Sequence, residues 1–259
     1  MCNRTGGNLL SVPFVSLHQQ PTAVILANAA SVNQAIAALP SPIDFLPADS
    51  AALFVPVNSN DDWAVGSSKR LLDLAVALPA LLLLAPLLVI VALLIKLGSK
   101  GPVFFRQQRT GACGRPFDIV KFRTMHVMEN GAQVEQARAD DPRTTRLGRI
   151  LRRYSIDELP QLLNIIAGDM SLVGPRPHAS AHDAYYGERI ADYAGRFAVK
   201  PGITGWAQIN GHRGPTPSVA VMAARIEHDV WYVRHASFVL DLKILCRTPF
   251  AVVRPRNAF

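Results

Sequence analysis

Two adjacent carboxylates, Asp157 and Glu158, lie within the most basic part of the chain. Neighbouring arginines favour the ionised form of a carboxyl group, and a bound metal ion or phosphate can complete the charge balance. Carboxylates are also the natural ligands of Mg²⁺, which commonly binds through one or two of them together with phosphate oxygens of a substrate. The pair is therefore the leading candidate for chemistry, and both residues are candidate ligands of Mg²⁺.

A capping box is the competing interpretation of Ser155-Ile156-Asp157-Glu158. It makes Ser155 the N-cap and puts Pro160 at the fifth helical position, where the ring would clash with the preceding turn. A later helix start moves Pro160 into the tolerated first turn and leaves both carboxylates at a helix entrance, which can hold phosphate. On this tetrapeptide alone, capping and catalysis weigh about equally.

The segments around the pair predict the elements that position it. Residues 103–108 and 116–123 flank a glycine-containing turn, which predicts a β-hairpin with Lys121 and Arg123 on one face. Residues 147–154 form a basic helical stretch. Apolar residues at helical spacing follow the pair and stop at Gly168, which predicts a short amphipathic helix with the carboxylates at its start.

A second block places one arginine between two prolines, Pro175-Arg176-Pro177. The prolines fix the local backbone and so lower the entropy cost of holding the Arg176 guanidinium against a phosphate. A turn with a solvated arginine is the alternative if the block stands by itself.

The block at residues 200–211 contains Trp206 and Gln208 between glycines. These side chains could hold a base or sugar, and a structural turn with a packed tryptophan is equally consistent with the residues.

A hydrophobic run of 22 residues, 74–95, carries no charge and is long enough to cross a bilayer as a helix. Pro79 and Pro86 interrupt the run, and lysines lie on both sides of it. Positive residues prefer the cytoplasmic side, so a re-entrant helix broken at Ala85-Pro86 satisfies both observations. A single crossing with residues 1–66 outside is the alternative.

The net charge of +8 is unevenly distributed. Residues 1–66 carry one arginine and four aspartates, a net charge of −3, which leaves +11 for the remainder. Such a surface suits nucleic acid, anionic lipid headgroups or a phosphorylated substrate. No nucleic-acid reader motif accompanies the membrane run, so a nucleic-acid partner is not expected. Proline-rich residues 1–66 indicate a mostly flexible leader.

Together these blocks resemble the bacterial sugar transferases, monotopic phosphoglycosyl transferases that move a sugar phosphate from a nucleotide sugar to a polyprenyl phosphate. The resemblance runs from about residue 69 to residue 249. It rests on several segments in one order: residues 69–73, the Ala85-Pro86 dipeptide, and residues 121–125, 157–162, 174–177 and 201–211. Many relatives have Ser-Pro where this chain has Ala85-Pro86, so the expected break depends more on proline alone.

The resemblance implies an α+β, mostly helical fold in three parts: a leader at 1–66, a re-entrant membrane helix at 67–100 and a cytoplasmic catalytic domain at 101–259. It implies Mg²⁺ dependence and the bacterial inner membrane as location. UDP-sugar and undecaprenyl phosphate are the implied substrates, with inner-membrane lipids and downstream glycosyltransferases as partners. The closest pattern is that of hexose members that start exopolysaccharide units, which favours UDP-glucose or UDP-galactose as donor.

The family's residue roles carry over position by position. Asp157 matches the nucleophile that forms an aspartyl-phosphosugar and expels UMP, and Glu158 matches the second acid of the dyad. Arg152 and Arg176 match phosphate-neutralising positions, with Lys121 and Arg123 as weaker candidates. A catalytically inactive, membrane-anchored scaffold of a polysaccharide assembly complex is the alternative function.

Three histidines, His178, His182 and His212, have no spacing that would close a zinc site. Histidines near polar turns are more often surface groups, so no catalytic role is predicted for them.

Overall fold

The computed structural model describes residues 62–126 and 141–253. Most of the predicted leader and most of the polar segment before residue 146 lie outside the described residues. The helices are α1 Ser67–Gly98, α2 Arg146–Arg153, α3 Gln161–Ala167, α4 Ser180–Gly187, α5 Trp206–Ile209, α6 Val219–His235 and α7 Phe238–Val253. The strands are β1 Phe104–Thr110, β2 Pro116–Phe122, β3 Ser171–Val173 and β4 Gly202–Thr204. The described part is thus mostly helical with small sheets, as predicted.

Helix α1 is long and apolar enough to cross a membrane, with a mean hydropathy of 3.0 over its best 18 residues. It is one continuous helix that contains both Pro79 and Pro86. The predicted interruption at Ala85-Pro86 is therefore wrong as a break in the helix. A proline removes one backbone donor and bends a helix, and neither effect requires the helical turns on its two sides to end.

One face of α1 packs on the rest of the domain along the whole helix. Ala77 lies in the main core with Ile165, while Val91 and Ile95 lie in a separate cluster with Phe122. The buried and half-buried positions recur every three or four residues, as expected for one helical stripe. They include Lys69, Asp73, Ala77, Leu81, Leu84, Leu88, Val91 and Ile95. The opposite face exposes large apolar side chains, Leu82, Leu83, Leu93 and Leu97 among them.

Buried polar contacts fix the start of α1. Lys69 Nζ lies 2.5 Å from Asp241 Oδ2, and both side chains are almost fully buried. Asp73 Oδ1 accepts hydrogen bonds from Ser171 Oγ at 3.0 Å and from the Leu172 N–H at 2.9 Å. Asp73 therefore acts as a buried anchor for β3.

Strands β1 and β2 form the predicted antiparallel hairpin. Its Gly111 N–H donates to the Arg115 carbonyl at 2.7 Å, which closes the turn. Phe122 at the end of β2 is buried beside α1, and Ile119 is buried in the main core. The hairpin is therefore covered from two directions, by α1 before it and by α3 after it.

A second sheet, not predicted as such, pairs β3 and β4 in parallel. The two backbones approach closely where β3 ends, because a Cβ on Gly174 would lie 2.3 Å from the Lys200 carbonyl oxygen. Only glycine fits such an approach. The chain leaves the core at the end of β3 and continues directly into the segment Pro175-Arg176-Pro177.

Candidate active site

The two carboxylates lie on a single 3₁₀ turn, Ile156–Glu158, between α2 and α3. Ser155 adopts the left-handed conformation, with φ of 56°, and its side chain makes no capping hydrogen bond. The capping-box interpretation is therefore wrong. Pro160 immediately precedes α3, and Gly168 ends that helix with φ of 98°, as the proline argument and the predicted stop required.

Glu158 is bound by two cations. Its Oε1 lies 2.9 Å from Lys121 Nζ and 2.5 Å from Arg176 Nη2, and its Oε2 accepts from Arg176 Nη1 at 3.2 Å. These charge-assisted bonds use both carboxylate oxygens. Burial by itself raises the pKa of Glu158, but the attraction of Arg176 and Lys121 outweighs burial and holds that pKa well below its ordinary value.

Asp157 differs from its neighbour, because it has no hydrogen-bond or ion-pair partner among residues 62–126 and 141–253. Burial, followed by the negative charge of Glu158, raises the pKa of Asp157 to about 6. A carboxylate of that pKa is roughly nine-tenths ionised at pH 7 and more basic than an ordinary aspartate. The turn thus carries two different carboxylates. Glu158 is bound by two cations, and Asp157 is available, with no hydrogen-bond or ion-pair partner among the described residues.

Arg152 lies in the last turn of α2, and its charge lowers the pKa of Asp157, as do those of Lys121 and Arg176. The Arg152 carbonyl accepts from the Ser155 N–H at 3.1 Å, which ties the helix end to the turn of the dyad. Three of the predicted basic residues therefore act on the carboxylate pair.

Arg123 is not brought to the dyad. Its guanidinium donates to the carbonyls of Ser99 and Lys100, so it holds the chain just after α1. Strand β2 ends at Phe122, and the alternation that put Arg123 beside Lys121 therefore stops one residue too early. Its predicted phosphate contact finds no support in this placement.

Trp206 and Gln208 both lie on α5, and each contacts a neighbouring segment. The Trp206 ring stacks on Trp231 with 4.7 Å between centroids, and Gln208 Nε2 donates to the Ile203 carbonyl at 3.1 Å. Both contacts hold the segment after β4 in place, in keeping with the structural alternative. Their predicted contact with a base or sugar stays a prediction.

Two other arginines hold the backbone that carries Arg176 by donating to its carbonyl groups. Pro175 and Pro177 are buried, and the carbonyl of Pro177 accepts from Arg109 Nη1 at 3.3 Å. Arg196 donates to the carbonyl of Arg176 and pairs with the buried Asp229 at 3.0 Å. The prolines therefore belong to a fixed platform, and Arg176 is preorganised against Glu158.

A buried polar network continues behind this platform. His178 Nδ1 lies 2.9 Å from the Tyr193 hydroxyl, which donates to Asp183 Oδ1 at 2.6 Å. Burial and then the charge of Arg196 hold the pKa of His178 well below its ordinary value, so the ring is neutral at pH 7. The expectation of a surface group at His178 is therefore wrong, because the chain folds α4 and the 3₁₀ turn Tyr193–Ala198 over it.

Sequence reasoning also missed three arginines near the site. Arg109 and Arg225 are largely buried, and burial followed by the repulsion of Arg176 lowers the pKa of each to about 10. Arg213 lies between α5 and α6 and donates to Ser155 Oγ beside the dyad. No local pattern distinguishes Arg109 and Arg225 from surface arginines, and the segment that contains Arg213 gave that residue no role by itself.

Asp157 fits an Mg²⁺ ligand, because its carboxylate has no competing partner among the described residues. Glu158 would first have to release some of its three N–H bonds. Within residues 62–126 and 141–253, no group of three His, Cys, Asp or Glu side chains could hold a metal ion. An ion here would take its other ligands from substrate phosphate and water, which is how Mg²⁺ usually binds. The predicted Mg²⁺ stays a prediction.

The chain is similar in sequence to one family of known proteins. The family model described as "Bacterial sugar transferase" matches residues 65–255. A UDP-glucose:undecaprenyl-phosphate glucose-1-phosphate transferase of Caulobacter vibrioides is 50% identical over 218 residues, which are 84% of this chain and 82% of that protein. The protein of the same name from Escherichia coli is 52% identical over 200 residues, 76% of this chain but 43% of that protein.

A third relative is the exopolysaccharide production protein PSS of Rhizobium leguminosarum bv. phaseoli. It is 48% identical over 184 residues, which cover 70% of this chain and 92% of that protein. The family match extends over most of the chain and includes every residue of the carboxylate site. The chain belongs to the bacterial sugar transferase family.

Proposed function

We propose that this chain transfers a hexose 1-phosphate from a UDP-sugar to undecaprenyl phosphate and releases UMP. The available carboxylate of Asp157, beside a glutamate held by two cations, is the observation that carries the proposal. Relatives about 50% identical are named for transfer of glucose 1-phosphate from UDP-glucose to the same lipid, which favours UDP-glucose over UDP-galactose. The product would serve as the acceptor for downstream glycosyltransferases in exopolysaccharide synthesis.

The first half-reaction begins with attack of an Asp157 oxygen on the sugar-bearing phosphorus of the UDP-sugar. The bond from that phosphorus to the bridging oxygen breaks, and UMP leaves with the electron pair. The sugar phosphate is then held as an acyl phosphate on Asp157. In the second half-reaction a phosphate oxygen of undecaprenyl phosphate attacks the same phosphorus, which frees the carboxylate and gives undecaprenyl diphosphate sugar.

The neighbouring residues have separate tasks in this scheme. Glu158 keeps the Lys121 and Arg176 side chains in place and, by its charge, keeps Asp157 basic. The cations, with Arg152, offset the charge that builds up on the phosphate oxygens in the transition state. Mg²⁺, held through Asp157 and the substrate phosphates, would supply further charge neutralisation. We divide the tasks in this way because Glu158 has protein partners and Asp157 has none among the described residues.

The arrangement of α1 supports a helix that enters and leaves the inner membrane on the same face. Lys69 at its start binds Asp241, and just past its end the Ser99 and Lys100 carbonyls bind Arg123 of the same domain. A helix that crossed the bilayer would separate these two ends by about 30 Å of hydrocarbon. We therefore place the domain on the cytoplasmic face, where UDP-sugars are made, with the apolar face of α1 toward lipid.

The test is UMP release by the purified full chain with Mg²⁺, undecaprenyl phosphate and a panel of UDP-sugars. We expect turnover with UDP-glucose and its loss in Asp157→Asn, which keeps the size of the side chain but removes the nucleophilic charge. Labelled UDP-glucose without lipid should leave label on the wild-type protein, and hydroxylamine should release it as it does from acyl phosphates. Undiminished turnover in Asp157→Asn would refute the nucleophile, and no turnover with any donor would favour the scaffold.

A further inference from the structure

Arg213 reaches the dyad from a distant part of the chain. It lies on the loop between α5 and α6, and its Nη2 donates to the hydroxyl of Ser155. Ser155 is two residues before Asp157, and its carbonyl accepts from the Glu158 N–H at 3.2 Å. The Arg213 guanidinium therefore rests on the same turn that presents the carboxylates.

The loop that carries Arg213 is fixed on both sides of it. The His212 N–H donates to the Ala207 carbonyl at 2.9 Å, and Arg225 Nη2 donates to the Gly214 carbonyl. Further along, the Tyr186 hydroxyl donates to the carbonyl of Thr216 at 3.4 Å. The backbone is thus positioned, whereas the hydrogen bond of the Arg213 side chain goes to a neutral hydroxyl.

The charge of Arg213 has no carboxylate partner within 4.0 Å among the described residues. Glu158, the nearby acid, already receives three hydrogen bonds from Lys121 and Arg176. Burial and the repulsion of Arg176 lower the pKa of Arg213, while Glu158 and Asp157 act in the opposite direction. A further anion at this point would offset the cost of holding the guanidinium there.

We propose that Arg213 is a further substrate-binding residue, whose guanidinium leaves Ser155 Oγ to bind the diphosphate of the nucleotide sugar. The inference rests on the proposed function and adds to it the loop between α5 and α6 as a donor-binding element. A guanidinium binds phosphate with two charge-assisted bonds, which are about twice as strong as a bond to a neutral hydroxyl. Arg225 is a positioning residue that acts through the Gly214 carbonyl.

The competing role is structural, in which Arg213 only ties its loop to the turn of the dyad. The variants Arg213→Ala and Ser155→Ala separate the two roles, because each removes the same hydrogen bond and only the first removes the cation. The structural role requires equal effects. Donor binding requires that Arg213→Ala raise the KM for UDP-glucose about 10- to 100-fold, as expected for the loss of charged hydrogen bonds, and that Ser155→Ala raise it far less.

The measurements are the KM and kcat for UDP-glucose from UMP release and the Kd for UDP by calorimetry, all on the full chain. Arg213→Lys should fall between wild type and Arg213→Ala. Arg153→Ala is the matched control, since Arg153 is an exposed arginine at the end of α2 and should leave all three constants unchanged. Unfolding temperatures of the variants establish that they fold.

Equal increases in Arg213→Ala and Ser155→Ala, or a change under twofold in Arg213→Ala, would overturn the inference. The UDP affinity decides the inference even if wild-type protein releases no UMP, which would refute the proposed function alone. In that case weaker UDP binding by Arg213→Ala still supports it. Unchanged UDP binding, or no UDP binding by wild type, would overturn it.

Discussion

The coupling of the two carboxylates predicts that Glu158→Gln lowers the pH at which Asp157 ionises. Burial and the charge of Glu158 are the two largest causes that raise the pKa of Asp157 from 3.8 to about 6. The substitution removes the second cause and frees Lys121 and Arg176 to act on Asp157 instead. The whole rise of about two units is worth ~3 kcal/mol at 1.36 kcal/mol for each pKa unit, and with burial retained the variant should lose part of it.

The direction of the pH dependence follows from the nucleophilic role proposed for Asp157. A carboxylate nucleophile must be ionised, so donor turnover is lost as the pH falls through the pKa of Asp157. Wild-type kcat/KM should therefore decline below about pH 6, and that of Glu158→Gln only at a lower pH. The kcat/KM of the variant on its pH plateau should also be lower, because Lys121 and Arg176 lose the carboxylate that holds their side chains in place.

The assay is kcat/KM for UDP-glucose from UMP release between pH 4.5 and 8. In a ping-pong scheme this constant reports only the first half-reaction. Titration of the lipid phosphate, whose second pKa lies near 6, therefore does not distort it. Glu188→Gln is the control, since Glu188 is an exposed glutamate paired with Arg189 at the surface. An acid limb that stays at about pH 6 in Glu158→Gln would refute the electrostatic role given to Glu158.

Two further predictions concern α1. Cysteines introduced at Ser68 and Lys100, in a cysteine-free background that retains UMP release, should both be labelled only from the cytoplasmic side, and labelling from opposite sides would establish a crossing. Asp241→Ala should destabilise the protein by ~3–5 kcal/mol in denaturant unfolding, because Lys69 would be left buried and unpaired. The exposed ion pair of Asp192 provides the comparison, where loss of the carboxylate should cost under ~1 kcal/mol, and equal costs at the two sites would contradict the argument.

The elements nearest the dyad could be predicted because their signals are local. The hairpin has two short strand patterns around Gly111, and α3 has its start constrained by Pro160 and its end by Gly168. The position of Pro160 also argued against a capping box, and the left-handed conformation of Ser155 with no capping hydrogen bond then excluded it. Strand β3 gave no such signal, because three residues are too few to show an alternation.

The residues behind the site could not be predicted, because burial creates their roles. Arg196 and Asp229 are 33 positions apart and form a pair only when α6 packs against the turn before β4. His178 follows a proline in a polar segment, and nothing local indicates that it is enclosed. The prediction for Arg123 failed for a different reason. The strand itself was predicted correctly, but it ends at Phe122, so the alternation of strand side chains does not extend to Arg123.

A short path of bonds joins the apolar helix α1 to Arg176. Asp73 of α1 binds Ser171 and Leu172 of β3, and the chain leaves that strand at Gly174 to reach Arg176. At the other end of α1, Arg123 binds the carbonyl of Lys100. Arg123 lies two positions after Lys121, which binds Glu158. Helix α1 is thus attached on both sides of the dyad, through the segments that carry Lys121 and Arg176. In the proposed reaction a lipid phosphate meets Asp157 at the height of the headgroups, and these attachments would then set the depth of the site as well as the fold.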